Sequence, residues 1–139
     1  MKKVTLIFIF FMIITALYGY RYYNKPDLLY VNTSEKDIIV DYPKPNSDVL
    51  SSFEITGRAR GVFYFEASFP VSVFNKNDKL LLQTFATAKG DWMTEKFVPF
   101  SSNISLGDYK GKVKIVMKKD NPSGEADKDA SVSFYLNVK

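Results

Sequence analysis

From Ser52 to Arg60 the chain reads SFEITGRAR, with Phe53, Ile55, Gly57 and Ala59 on one parity and Glu54, Thr56, Arg58 and Arg60 on the other. Successive side chains of a β-strand point to opposite faces, so this alternation predicts a strand with one dry and one wet face. The same period recurs where Val113, Ile115 and Met117 alternate with Lys112, Lys114, Val116 and Lys118. It recurs again from Ser131 to Val138, where Val132, Phe134, Leu136 and Val138 form the inward row. Between these stretches come turn signals every 8–14 residues.

The remaining segments fit the same scheme. Residues 37–42 (DIIVDY) read as a first short strand, stopped by Pro43 and Pro45. Residues 63–74 read as a strand with Phe65, Ala67, Phe69, Val71 and Val73 facing in. Pro70 lies within it and cannot donate to a ladder, so the strand is expected to bulge or to lie on an edge there. Residues 75–79 (NKNDK) form a turn, 79–87 the next strand, 88–92 another turn and 93–100 a further strand. Residues 101–112 read mostly as loop, and 119–129 as a long polar loop holding Asn121-Pro122-Ser123-Gly124. No helical periodicity follows residue 37. Seven short strands in about 100 residues predict an all-β, immunoglobulin-like β-sandwich, with a small β-barrel as the alternative.

Ahead of this domain stands a different kind of segment. Residues 4–19 (VTLIFIFFMIITALYG) carry no charge, follow Lys2 and Lys3, and run into Tyr18, Tyr20, Tyr22 and Tyr23. With Tyr20 the stretch reaches 17 residues, the lower limit for a helix that crosses a bilayer. Interfacial tyrosines suit such a helix. A cleavable signal peptide would place small residues three and one positions before the cut, and the best candidate offers Leu17 and Gly19. The expected organisation is therefore an uncleaved signal anchor or transmembrane segment at 1–23, a stalk linker at 24–36 and the β-sandwich at 37–139. Secretion after cleavage is the alternative. The positive charges at the N-terminus favour a single-pass membrane protein with its domain outside the cytoplasm.

Charge and composition then exclude whole classes of function. The net charge is +4, but Lys2, Lys3, Arg21 and Lys25 account for it: removing these four from 19 basic residues leaves 15, against 15 acidic ones. The body of the protein is neutral, and no basic stripe for nucleic acid is expected. There is no cysteine, so neither a disulfide nor a lipoprotein anchor is available, and no histidine, which removes the commonest general base. Neither a Ser-His-Asp nor a Cys-His arrangement can form. Glu54 and Glu66 are the carboxylates that strand position would offer to a glycosidase, and solvated strand faces explain them as well. No cofactor and no metal is expected. Glu125, Asp127 and Asp129, with Asp120 and Asn121 upstream, offer oxygen ligands for calcium, but their spacing does not match the twelve-residue calcium loop.

Several stretches, in order, resemble the immunoglobulin-like domain of bacterial spore germination. They are Val40 to Pro43, ITGRARG at 55–61, FEASFPV at 65–71, GDWMT at 90–94 with FVPF at 97–100, and KDNPSG at 119–124. The resemblance covers residues 38–138. It implies an extracytoplasmic immunoglobulin-like sandwich with a binding or structural role in the cell envelope, and it brings no active site. The chain lacks any accompanying germination module, so a general envelope role is expected rather than a sporulation role.

The expected function is thus a non-catalytic, non-enzymatic envelope module that binds a protein partner or cell-wall polymer through loops at one end of the sandwich. A carbohydrate-binding domain using Trp92 and neighbouring aromatics is the alternative, and a hydrolase ranks last. Candidate binding residues are Arg58 and Arg60, two residues apart on one strand face with Glu66 expected across from them, Trp92 at a turn, and Asn121 and Pro122 in the long loop. Trp92 reads either as a cap on the core, packed by Phe97, Pro99 and Phe100, or as an exposed platform.

Overall fold

A computed structural model describes residues 12–15 and 27–139. Nine strands follow one another: β1 (Leu29–Val31), β2 (Ile38–Tyr42), β3 (Asp48–Val49), β4 (Ser52–Arg60), β5 (Ser68–Asn75), β6 (Leu80–Ala88), β7 (Phe97–Ser105), β8 (Gly111–Lys118) and β9 (Ser131–Val138). Two short 3-10 turns, Gly61–Phe63 and Ala126–Lys128, interrupt the connections after β4 and before β9. Hydrogen bonding links the strands in the order β1-β9-β8-β5-β6-β7-β4-β2, and β3 pairs in parallel with β9. The link between β6 and β7 is confined to Thr87↔Ser101 and Ala88↔Phe100. The sheet curls at that corner, so that β5, β8 and β9 lie across from β2, β4 and β7 as the two layers of a sandwich.

Period-two patterning sets which side chains meet between the layers. Ile55 and Ala59 from β4, Val113, Ile115 and Met117 from β8, and Val132, Phe134, Leu136 and Val138 from β9 are buried as expected. Phe69 of β5 is fully buried, with its ring 5.1 Å from Phe100 of β7, 5.5 Å from Phe63 and 5.2 Å from Tyr64. The contacts with Phe63 and Phe100 are edge-to-face and add roughly 0.5–1.5 kcal/mol each beyond burial, while the Tyr64 ring is tilted. Gly57 has its own reason: a Cβ there would stand 2.2 Å from the Ile39 carbonyl oxygen and 2.6 Å from the Phe100 ring. Among the described residues, every core residue and every side chain packed against the core lies between Leu28 and Val138.

The structure departs from the sequence reading in where two strands begin and end. The strand expected over 63–74 begins only at Ser68. Glu66 and Ala67 have φ of 49° and 62°, left-handed values that break the alternation. Phe65 is consequently 43% exposed, while Phe63 and Tyr64 are buried. Pro70 sits at a local edge, the second of the two outcomes expected for it: it pairs with Phe85 on one side, and the ladder with β8 starts one residue later, at Val71↔Met117. The strand expected over 93–100 is shifted to Phe97–Ser105, and Ser101 and Ser102, read as loop, are buried in it. Ser102 is accommodated because its hydroxyl donates to the Phe85 carbonyl at 2.9 Å.

Pairing also starts earlier than the boundary expected at Asp37. Leu29–Val31, inside the stretch read as a stalk, lie antiparallel to β9 from Leu29↔Ser133 to Val31↔Ser131. The hydrophobic N-terminal segment lies outside the described residues apart from 12–15, which are helical. Among the described residues no helix is long and apolar enough to cross a membrane.

Candidate functional site

At the end of the sandwich where β4 and β8 finish and β7 begins, three connections converge. Residues 61–65 follow β4, residues 92–94 precede β7, and residues 119–123 follow β8. Between them, with Lys128 at the rim, lies an open groove of about 490 Å3. Main-chain bonds hold its walls together: Asp120 N–H donates to the Phe63 carbonyl at 3.1 Å and Lys119 N–H to the Ala130 carbonyl at 2.8 Å. Gly61 makes the closest approach. A Cβ at that position would lie 1.9 Å from the Thr94 carbonyl oxygen and 2.2 Å from that of Trp92. Only glycine lets the end of β4 slide under the 92–94 loop.

Tyr64 lies beneath the groove and ties it to the core. Its hydroxyl donates to the Val98 carbonyl at 2.7 Å, and burial pushes its pKa up to about 12, against a weaker lowering by the neighbouring Ala59 backbone. Around it the walls are apolar and open. Val62 is 59% exposed and Met93 76%, and with Phe65 they form a rim of large side chains facing water. Trp92 lines the groove and also packs against the core, so the two roles weighed for it coincide in one half-buried indole. Lys119 and Asp120 enter from the opposite wall.

Of the candidate residues, Trp92, Asn121 and Pro122 come together here and the two arginines do not. The Asn121 amide is already engaged: its Nδ2 donates to the Glu125 carbonyl at 2.8 Å and to Asp129 at 3.0 Å, and its Oδ1 accepts from the Ser123 hydroxyl at 2.6 Å. It shapes the loop, in which Pro122 and Ser123 are exposed and line the groove. Arg60 is a brace. Its Nε donates to the Lys36 carbonyl at 2.6 Å, its Nη1 to the Glu95 carbonyl at 2.8 Å, and its guanidinium lies 4.9 Å from the centre of the Phe97 ring. Arg58 pairs with Asp41 of β2 at 3.2 Å, away from the groove. The expected pairing of these arginines with Glu66 does not occur, because β4 is flanked by β2 and β7 and Glu66 sits on the left-handed turn before β5.

The carboxylates are dispersed. Glu54 lies on β4 in register with Asn103, and neither it nor Glu66 lines the groove. Glu125 pairs with Lys128. The Asn121 amide and the Lys118 ammonium hold the Asp129 carboxyl below its usual pKa. Among the described residues no group of three or more acidic side chains converges to hold a metal ion. A smaller cleft of about 270 Å3 on the other side of the 119–130 loop is bounded by Asn32, Asp37 and Asp127. Val62, Phe65, Met93 and Lys119 are groove residues that strand patterning does not flag, since they lie where the alternation fails.

A two-layered β domain whose loops build an apolar groove at one end is an immunoglobulin-like module of the kind that is generally non-catalytic. The family model for the immunoglobulin-like domain of bacterial spore germination matches residues 37–126, and the chain belongs to that family. The match spans β2 to the second 3-10 turn, with β1 before it and β9 after it. No curated protein matches the chain.

Proposed function

We propose that the protein is a non-catalytic binding module of the bacterial cell envelope, acting outside the cytoplasm behind its N-terminal hydrophobic segment, and that it takes a protein partner in the groove between residues 61–65, 92–94 and 119–123. The observation that carries this reading is the exposure of Val62, Phe65 and Met93 around the half-buried Trp92. Large apolar side chains gathered on a monomer's surface mark interaction sites more often than chance exposure does. Lys119 and Lys128 beside them suit a partner that presents an apolar anchor next to an acidic residue. β1 runs from the level of Ser133 to that of Ser131, toward the groove end of the sandwich.

The test is site-specific photo-crosslinking in envelope preparations, with the crosslinker at Met93 and, as a control, at Tyr42, which is also exposed but lies on β2. The expected result is one discrete adduct from position 93, lost on Val62→Asp and absent from position 42. Adducts that are equal at both positions, or indifferent to Val62→Asp, refute the groove. A second reading, carbohydrate binding, is favoured by one feature: Trp92 and Asp120 line the same groove, and an indole face beside a carboxylate suits a sugar ring. Co-sedimentation with insoluble cell wall separates the two. Retention abolished by Trp92→Ala with unchanged thermal stability points to the glycan, and no retention points to the protein partner.

A further inference from the structure

The two layers differ in what they turn toward solvent. β1, β9, β8, β5 and β6 contain no acidic residue. Their inward rows are buried, so alternation directs Lys112, Lys114 and Lys118 of β8, Tyr135 of β9 and Phe74 of β5 to the outer face. Leu29 and Val31 of β1 stand in register with Ser133 and Ser131 on the same face and are 60% and 48% exposed. The Lys112 ammonium lies 4.5 Å from the centre of the half-exposed Tyr135 ring, and that of Lys114 lies 5.5 Å from the centre of Phe74. Asp78 and Asp129, from connections at opposite ends of the sheet, pair with Lys114 and Lys118. Lys112 has no carboxylate partner among the described residues. The facing layer is different: β4 and β2 expose Glu54 and Asp41 as well as Arg58, so that its charges balance within the strands.

We propose that the outer face of β1, β9, β8 and β5 lies on the surface of the membrane that carries the N-terminal segment, with its apolar and aromatic side chains at headgroup level and its lysines against anionic lipid. The proposal rests on the reading of residues 4–20 as a membrane segment. Exposed apolar side chains interleaved with lysine make up the faces by which proteins lie on a bilayer. Lysine suits such a face because its stem rests on apolar surface while its ammonium reaches a phosphate. Chain length selects the membrane as the occupant. Nine residue steps lead from Tyr20 to Leu29, which is at most about 30 Å of fully extended chain. Leu29 belongs to the face itself, on the edge strand of the sheet. Residues 20–25 (YRYYNK) repeat the aromatic and basic composition and carry no acid. A bilayer tied this close to the face is always present, whereas a partner protein has to be recruited. With this face down the strands lie along the membrane, and the groove opens beside the bilayer rather than into it.

The chain has no cysteine, so a single introduced thiol carries a label specifically. The test uses the full chain in nanodiscs of mixed zwitterionic and anionic phospholipid, with nitroxide-headgroup lipid as quencher. A fluorophore is placed on Ser72→Cys, at the centre of the face between Val116 and Gln83, or on Glu54→Cys in the facing layer as the control. The expected result is loss of most of the emission from position 72 and of little from position 54. Leu29→Asp combined with Val31→Asp should remove that difference with the melting temperature retained, and replacing the anionic lipid by a zwitterionic one should reduce it. Equal quenching at both positions, or a difference that survives both changes, would overturn the inference. Protection of position 72 from aqueous iodide without quenching by the lipid means that a protein surface covers the face, and overturns it as well. A full chain that does not enter the discs overturns the membrane reading of residues 4–20 and the inference with it, a failure distinct from entry with equal quenching.

Discussion

Gly61→Ala tests the link between fold and groove directly. The added Cβ would lie 1.9 Å and 2.2 Å from two main-chain carbonyl oxygens, whereas real Cβ contacts essentially never fall under 3.0 Å. The 92–94 loop, or the end of β4, must therefore retreat by about 1 Å. Neither obstacle is the flexible tip of a side chain. Gly61 does not adopt a left-handed conformation, so the cost is steric alone. Overpacking of this kind costs about 1–3 kcal/mol, and contact with backbone places the expected loss near the top, at about 2–3 kcal/mol. For a domain of this size that is a fall in melting temperature of roughly 6–15 °C. The protein's single tryptophan stands in the displaced loop, so its fluorescence reads the local change while circular dichroism reads global unfolding. Gly90 is the control, since a Cβ there meets nothing within 4 Å. Gly90→Ala should be neutral or stabilising by up to about 1 kcal/mol. A Gly61→Ala protein within about 0.5 kcal/mol of the parent, with unchanged Trp92 emission, would refute the claim that close backbone approach builds the groove.

Phe69→Ala removes the ring at the centre of the aromatic cluster and should cost about 3–5 kcal/mol, measured by urea unfolding. Tyr64 makes stability fall at high pH. Its folded pKa of about 12 lies above the ordinary 10.0, so its contribution is whole below pH 10 and is lost as pH rises from there through 12. In Tyr64→Phe that part of the alkaline loss should disappear, as followed by melting temperature against pH. Arg60→Ala releases two carbonyl oxygens and a ring contact and should cost about 1–2 kcal/mol. Arg58→Ala, which breaks only an exposed pair with Asp41, should change stability by no more than about 0.5 kcal/mol in the same chemical unfolding assay.

Where alternation is clean, the fold is legible from the residues alone. β9 runs from Ser131 to Val138 as the pattern predicts, and the inward rows of β4 and β8 contain no error. Legibility fails where the physics is not period-two. Nothing in the types of Glu66 and Ala67 announces a left-handed pair, and once they are left-handed Phe65 points out instead of in. Ser101 and Ser102 look like loop because hydroxyls are usually wet, yet a single bond to the Phe85 carbonyl accommodates Ser102 in the interior. β1 and β3 are too short to show a pattern, and their strand character comes from β9, with which both pair. The site is legible in the same measure. Trp92 and the 121–124 turn stand out as residue types and do meet, whereas Val62, Phe65 and Met93 become a surface only because the chain leaves regular structure there.

β9 therefore carries more than its eight residues suggest. It supplies Val132, Phe134, Leu136 and Val138 to the core, pairs fully with β8, and is the strand against which both β1 and β3 form. The segment through which the chain enters the domain is thus fastened to the segment with which it ends. Any pull transmitted along the N-terminal segment reaches the closing strand first, through β1 at Leu29↔Ser133 and through Asp27, whose carboxylate accepts from the Asn46 amide while the Asn46 N–H donates to the Tyr135 carbonyl. The connection from β8 to β9, residues 119–130, contributes one wall of the groove. Residues 29–31, β9 and the 119–130 connection form one continuous path through main-chain bonds, while the other two walls of the groove hang from β4 and β7 in the facing layer. A partner in the proposed groove would bridge the layer that pairs with β1 and the layer that does not, a mechanical reason for proposing this end of the sandwich rather than the other.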